Sequence, residues 1–399
     1  MATLLLTNIG QLTTVDSKGS VLEDAAVLIE DGIVAWVGHM ALAPATAHEI
    51  DLGGRAVLPG WVDSHSHLIF GGDRAEEFVA RMAGQTYAAG GIAVTTSATG
   101  KLSDTELAGV VGERRREALA MGTTWMETKT GYGLTLEEET RHSVLGKPLV
   151  DSLTFLGAHL VPAGWAAEAY TDLVTGPMLD AVAGNVDFVD VFCERGAFTE
   201  DQSRRVLEAA QRKGLATKVH GNQLGPGPGV KLAVEFGSHS VDHVNYLDEE
   251  DFKALADSWA GWDASARSGK PGTVATCLPA CDLSTRQPLA PGRELLDAGV
   301  RIALASNCNP GTSYTSNMNF CVATAVLQMN LSLAEAIEAA TYGGALALGV
   351  ADQVGSIEVG KRADLHVLDA PVAAHLAYRP GMNLTHSVYR AGELVDRLT

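Results

Sequence analysis

The stretch Pro59-Gly60-Trp61-Val62-Asp63-Ser64-His65-Ser66-His67 decides how the rest of the chain is read. Arg55-Ala56-Val57-Leu58 and Trp61-Val62 form an apolar run of strand character that bends at Pro59-Gly60. In extended backbone, residues i and i+2 point to one side, so His65 and His67 can converge on one ion. Imidazole nitrogens suit Zn²⁺, iron or Mn²⁺, and two ligands from one short segment make half a site in advance. Two unrelated histidines at a strand end would spell the same letters, so the remaining chain has to carry the weight.

That chain has 399 residues, 46% of them hydrophobic and 19% charged, which is enough for one large α/β barrel and a smaller piece. A formal net charge of −19 argues against nucleic acid or an anionic membrane as partner. It leaves room for an anionic small molecule, because one arginine can dominate a cleft. Met1-Ala2-Thr3 runs straight into Leu4-Leu5-Leu6 with no basic segment, so no signal peptide is expected. No apolar run reaches the roughly 18 residues of a membrane span. Five scattered cysteines fit free thiols in a reducing, cytoplasmic setting. Cys277 and Cys281 could be half a zinc site, but no second half pairs with them.

Both ends of the chain alternate short β-like runs with turn residues. Residues 25–30 and 33–37 flank Asp31-Gly32, a hairpin signal, and Gly360 to Leu368 and Ser387 to Val395 have the same texture. Residues 1–58 and 355–399 are therefore expected to build one small β-sandwich. Residues 59–354 alternate apolar runs with amphipathic helical ones, the pattern of a parallel α/β fold. Candidate strands are Thr123 to Lys129, Ser152 to His159, Val186 to Cys193, Ala216 to His220, Ser238 to His243, Val274 to Leu278 and Arg301 to Ser306. With the strand ending at His65 they fit a (β/α)₈ barrel, whose active residues gather at strand C-terminal ends. An open doubly wound sheet fits less well, since neither Gly71-Gly72 nor Gly90-Gly91 forms a nucleotide-binding loop.

Polar residues crowd those strand ends. His65 and His67 close the first strand, Lys129 and Tyr132 follow the second, and His159 closes the third. Glu194 follows the fourth, His220 ends the fifth, His243 the sixth, and Asn307 follows the eighth. Any one of these could be an ordinary core histidine. So many on one face of a barrel point to a metal-dependent active site.

Several motifs, taken together, resemble a known family. Leu58 to His67 and Gly360-Lys361-Arg362-Ala363-Asp364-Leu365 look like the amidohydrolase superfamily. Within it, Phe70-Gly71-Gly72-Asp73-Arg74, Lys129 to Leu134, Gly157-Ala158-His159, Val241-Asp242-His243 and Asn309 to Ser313 closely resemble the imidazolonepropionases. The resemblance implies a hydrolase that opens a cyclic amide or amidine ring, 4-imidazolone-5-propanoate giving N-formimidoyl-L-glutamate in histidine degradation. It implies one divalent metal ion, zinc or iron, on His65, His67, His220 and Asn307, and a homodimer. Substrate contacts would come from Arg74, Tyr87, Tyr132, His159, Gln223, Asn309, Gly311 and Thr312, with His243 and Gln223 at the chemistry. Arg74 could fork onto a carboxylate, or pair on the surface with Asp73, Glu76 or Glu77.

Two positions depart from that pattern. The family has aspartate where this chain has Asn307, and commonly glutamate where it has Gln223. An amide oxygen can ligate a metal but cannot act as a general base. Hydrolysis with His243 carrying the proton is one outcome. A different reaction on a small heterocycle or amino-acid derivative is another, and a non-catalytic binding relative a third. Ser258 to Gly272 adds an insertion before the seventh strand, expected to be a solvated surface loop.

Overall fold

A computed structural model describes residues 3–84 and 91–395. The N-terminal segment forms β1 (Thr3–Thr13), β2 (Val21–Glu30), β3 (Ile33–His39) and β4 (Glu49–Pro59). Asp31 and Gly32, both at positive φ (48° and 82°), make the tight turn between β2 and β3. The barrel strands are β5 (Trp61–Asp63), β6 (Thr123–Lys129), β7 (Ser152–Ala158), β8 (Phe188–Cys193), β9 (Ala216–Gly221) and β10 (Ser240–His243). A small hairpin of β11 (Trp262–Asp263) and β12 (Ser268–Gly269) precedes β13 (Val274–Cys277) and β14 (Ile302–Leu304). The chain returns through β15 (Leu365–Leu368), β16 (Thr385–Arg390) and β17 (Glu393–Leu394).

Two sheets result. Seven strands from both ends of the chain order as β17-β16-β15-β4-β1-β2-β3, and eight parallel strands order as β14-β13-β10-β9-β8-β7-β6-β5. The expected barrel strands all form, most within two residues of their expected ends. The first one differs. The run from Arg55 to His65 is shared between the two sheets: Pro59 pairs with Leu365 in the terminal sheet, while Trp61 pairs with Thr123 in the barrel. Gly60 is the crossing point, because a Cβ there would stand 2.2 Å from the Thr124 hydroxyl oxygen. Strand pairing ends at Asp63, so His65 and His67 lie just past the strand. Their place is fixed by a parallel bridge between Ser66 and Cys308 and by the bonds Asn307 N–H to His65 O and His67 N–H to Cys308 O, both 2.9 Å. These contacts close the barrel between its first and last strands. Asp63 tightens the same seam by accepting from the Ser306 backbone at 3.0 Å and the Ser306 hydroxyl at 2.5 Å.

Helices wrap the barrel where the pattern places them. The helix Asp104–Ala120 starts at a capping box in which Ser103 and Glu106 satisfy each other's backbone N–H groups. Glu200–Arg212 starts at another, Thr199 with Gln202, and buries Val206, Leu207, Ala209 and Ala210. The Ser258 to Gly272 insertion is less solvated than expected. Arg267 lies 3.7 Å from the centre of the Tyr342 ring and donates to Val15 O at 2.7 Å, pinning the hairpin across the junction of the two sheets.

His366, on β15, is fully buried, edge-on to Trp61, with Nε2 2.9 Å from the Thr385 hydroxyl oxygen. Burial pushes its pKa down to about 3. A depressed folded-state pKa means stability that is complete above the unfolded value near 6.5 and lost as pH falls towards 3. The expected loss is on the order of 4 kcal/mol. Acid unfolding followed by circular dichroism should show that slope flattened in His366→Gln; superimposable curves would refute the assignment.

Candidate metal centre and active site

Each histidine read from the sequence reaches the C-terminal mouth of the barrel. His65, His67 and His220 are buried and bring one ring nitrogen apiece within 4.8 Å of one another. Nε2 of His65 and Nε2 of His67 are 3.2 Å apart. Two nitrogens bound at about 2.05 Å to one tetrahedral ion stand about 3.3 Å apart, so this spacing suits ligands of a single metal. Nε2 of His220 is buried with no hydrogen-bond partner, as is Nδ1 of His67. Burial, followed by the charge of Lys129 for His65 and by the neighbouring His65 for His67, holds both rings well below the usual imidazole pKa. Neutral, orphaned imidazoles are what a cation requires of its ligands.

Carboxylates beneath the rings set their orientation. His65 Nδ1 stands 2.6 Å from Asp242 Oδ2, and His220 Nδ1 stands 3.0 Å from Asp190 Oδ2. An imidazole that gives its Nδ1 proton to a carboxylate presents the Nε2 lone pair to a metal. Below these carboxylates Lys129 Nζ lies 2.7 Å from Glu127, 3.0 Å from Asp190 and 3.8 Å from Asp242, all of them fully buried. Burial alone would lower the Lys129 pKa, but the three carboxylates more than reverse it and hold the ammonium charged. Lys218, whose Nζ donates to Ser64 O at 2.6 Å, is pulled down by burial and by Lys129. Two ammoniums thus face three carboxylates, and the excess negative charge lies beneath the histidines, where it favours a cation. Lys129→Met is expected to leave those carboxylates uncompensated and to cost about 3–5 kcal/mol of stability. Urea unfolding would measure it, and a loss under 1 kcal/mol would contradict the network.

Above the histidines one narrow cavity is lined by His67, Arg74, Tyr132, His159, His220 and Gln223. His243, Asn307, Asn309 and Thr312 complete its polar wall, with Ile92 and Phe192 as apolar faces. His65 sits under this lining, and Gly311 borders the neighbouring groove, its carbonyl accepting from Arg81 at 2.9 Å. Tyr87 lies outside the described residues. Arg74 is both an ion pair and a cavity wall: Nε and Nη2 donate to Glu77 at 2.8 and 2.6 Å while the residue stays buried. Asn309 organises the loop below it, donating to Asn307 O at 2.6 Å and to the Thr312 hydroxyl at 2.8 Å. Asn307 Oδ1 accepts from Asn309 Nδ2 at 3.2 Å.

His243 has φ +86°, followed by Val244 at +51°, a left-handed pair that turns the chain sharply after β10. Such backbone is costly outside glycine and persists where the surroundings enforce it. Here Val244 N–H to Gly221 O and Tyr246 N–H to Asn222 O fasten the turn and push the imidazole into the cavity. Burial, then the adjacent His220, keeps His243 well below the usual pKa. One nitrogen of His243, the Cys281 sulfur and an Asp282 carboxylate oxygen fall within 4.8 Å of one another. Burial pushes Asp282 up to about 7. His159 is lowered to about 4, chiefly by burial, and its Nδ1 donates to Gly131 O at 2.9 Å.

With this geometry the chain can be set beside known proteins. Residues 192–395 match the model of the amidohydrolase family. The imidazolonepropionase of Paenarthrobacter aurescens (strain TC1) is 65% identical over 399 residues, covering 98% of each chain. That of Micrococcus luteus is 63% identical over 397 residues, covering 98% of this chain and 99% of its own. The chain belongs to the imidazolonepropionase family. As an amidohydrolase it is a metal-dependent hydrolase of carbon–nitrogen bonds in cyclic amides. Among solved structures, a triazine hydrolase variant superposes with TM-score 0.75 at 19% identity over 98% of this chain and 94% of that one. A zinc-bound adenosine deaminase from Xanthomonas campestris gives 0.72 at 21% over 99% and 93%. At those identities the likeness establishes the fold alone.

The carboxylates of the buried network, Glu127, Asp190 and Asp242, were not among the residues picked out from the sequence of this imidazolonepropionase relative. Their signal was present: a charged residue inside an apolar strand, as in Phe188-Val189-Asp190-Val191-Phe192, has to point into a barrel that can pair it. Among the described residues no helix is long and apolar enough to cross a membrane.

Proposed function

We propose that this chain opens the ring of 4-imidazolone-5-propanoate to N-formimidoyl-L-glutamate, a step of histidine degradation, with one Zn²⁺ or Fe²⁺ on His65, His67, His220 and Asn307. The observation that carries this reading is the cavity itself: neutral, convergent imidazoles at its floor and a buried guanidinium at its wall. A divalent ion held there supplies Lewis acidity, polarising a carbonyl and making water easier to deprotonate.

The chain's own residues do the rest. The Nη1 edge of Arg74, not used by Glu77, takes the propionate carboxylate. Tyr132, His159 and Gln223 hydrogen-bond the polar rim of the ring, and Asn309 with Thr312 fixes the loop that carries Asn307. His243 accepts a proton from the attacking water as the water oxygen bonds to the ring carbonyl carbon. It returns that proton to the ring nitrogen as the carbon–nitrogen bond breaks, so the atoms of one water end in the product. Its low proton affinity suits a group that must let the proton go again. The same reading puts the enzyme in the cytoplasm, which five buried free thiols support, and in the homodimer its family resemblance implies.

The test is direct. Purified protein loaded with Zn²⁺ or Fe²⁺ should convert freshly prepared imidazolone propionate to N-formimidoyl-L-glutamate faster than the spontaneous reaction. No turnover above that background from metal-loaded protein would overturn the assignment.

A further inference from the structure

Tyr132 and His159 stand on different loops, yet one buried carboxylate governs both. Glu139, in the first turns of the helix Leu136–Gly146, is completely buried. Its Oε1 accepts from the backbone N–H groups of Gly133 and Leu134, each at 2.8 Å. Gly131 N–H lies 3.0 Å from Oε2 and 3.2 Å from Oε1. Three N–H groups closing on one carboxylate form an anion nest, and the side chain filling it belongs to the same chain. The loop needs such a clamp. Gly131 is at φ +105° with no room for a Cβ, which would sit 2.7 Å from Leu156 O, and Leu134 is left-handed at φ +55°. Tyr132 is the residue held between those fixed points.

The clamp reaches further through Gly131. While its N–H goes to Glu139, its carbonyl accepts from His159 Nδ1 at 2.9 Å. A histidine whose Nδ1 proton is so engaged keeps Nε2 as a lone pair. His159 then meets the substrate as an acceptor, 5.4 Å from the Tyr132 ring centre to centre and stacked 5.7 Å from His67.

We propose that Glu139 is a positioning residue for ring recognition: by holding Gly131, Gly133 and Leu134 it sets where Tyr132 stands and which nitrogen of His159 carries the proton. This rests on the function proposed above for what it implies about substrate, but the tautomer of His159 can be read without any substrate. Glu139→Gln is the informative change. Its amide keeps one oxygen and turns an NH₂ towards an N–H donor, so part of the nest must open with little change in volume.

In the metal-loaded enzyme, Glu139→Gln should raise KM about tenfold with kcat changed less than about threefold, the signature of lost orientation of the bound ring. The ¹⁵N signals of His159 should move from the Nδ1–H form towards the Nε2–H form. Metal content and melting temperature should stay near wild type. Should Glu139→Gln not fold, Glu139→Asp, with the charge one methylene short, is read by the same criteria. An unchanged KM together with an unchanged His159 signal overturns the inference. So does a fall of kcat, metal content and melting temperature in parallel with that signal unmoved, since Glu139 would then only hold the fold. If wild type fails to turn over imidazolone propionate, the proposed function fails, and the His159 signal alone still decides for or against Glu139.

Discussion

His243→Ala is expected to lower kcat for imidazolone propionate by about 10³-fold while leaving bound metal within experimental error of wild type. The size follows from what the cavity lacks. Its two other candidates for proton transfer, Asn307 and Gln223, are amides, and an amide oxygen does not take up a proton at neutral pH. Arg74 is a permanent cation, and His67 and His220 commit their Nε2 atoms to the metal position. His159 spends Nδ1 on Gly131 and stands in the wall that recognises the ring. That leaves the imidazole of His243, whose Nδ1 is buried without a partner and whose ring borders the cavity. Positioned acid–base groups contribute about 10²- to 10⁴-fold. Steady-state kinetics with metal analysis on the same preparation checks both halves. A variant that keeps more than about a tenth of wild-type kcat would mean the proton travels by another route.

The barrel was legible in the sequence because its strands are buried on both faces and read as continuous apolar runs, as in Ser152–Ala158. The histidines were legible because a polar residue at the end of such a run has one place to go, the mouth. What escaped were relations between distant residues. Nothing local in Val241-Asp242-His243 says that Asp242 orients His65, which is 177 positions away. The sharing of one apolar run between two sheets at Gly60 depends on Thr124 and Leu365 approaching from opposite sides. The docking of the insertion depends on Tyr342, a residue 75 positions beyond Arg267. Arg74 shows the mixed case. Both readings of it hold at once, since it pairs with Glu77 and also lines the cavity.

The buried network also bears on the two amides. A neutral set of three imidazoles and an amide oxygen offers a divalent cation no formal charge at all. In this chain the compensating charge sits one layer down, on Asp190 and Asp242, held ionised against burial by His220, Lys129 and Lys218. Charge at that remove still stabilises a cation in a low-dielectric interior, but less than an oxygen in contact would.

Asn307→Asp should therefore tighten metal binding and raise hydrolysis of imidazolone propionate at least about tenfold. The backbone at 307 is already set by the bond to His65 O and by φ +51°, a conformation aspartate adopts as readily as asparagine. Asn309 Nδ2, 3.2 Å from Oδ1, becomes a better partner once the acceptor is anionic. An anionic oxygen binds Zn²⁺ or Fe²⁺ more strongly than a neutral one, so competition with a chelator should register the change with no substrate present. The same oxygen adds a second proton acceptor beside His243, so the loss caused by His243→Ala should be smaller in the Asn307→Asp background than alone. Tighter metal with unchanged hydrolysis would mean that His243 already saturates the proton transfer. Unchanged metal affinity would mean that residue 307 does not reach the ion, and the ligand set would shrink to three histidines.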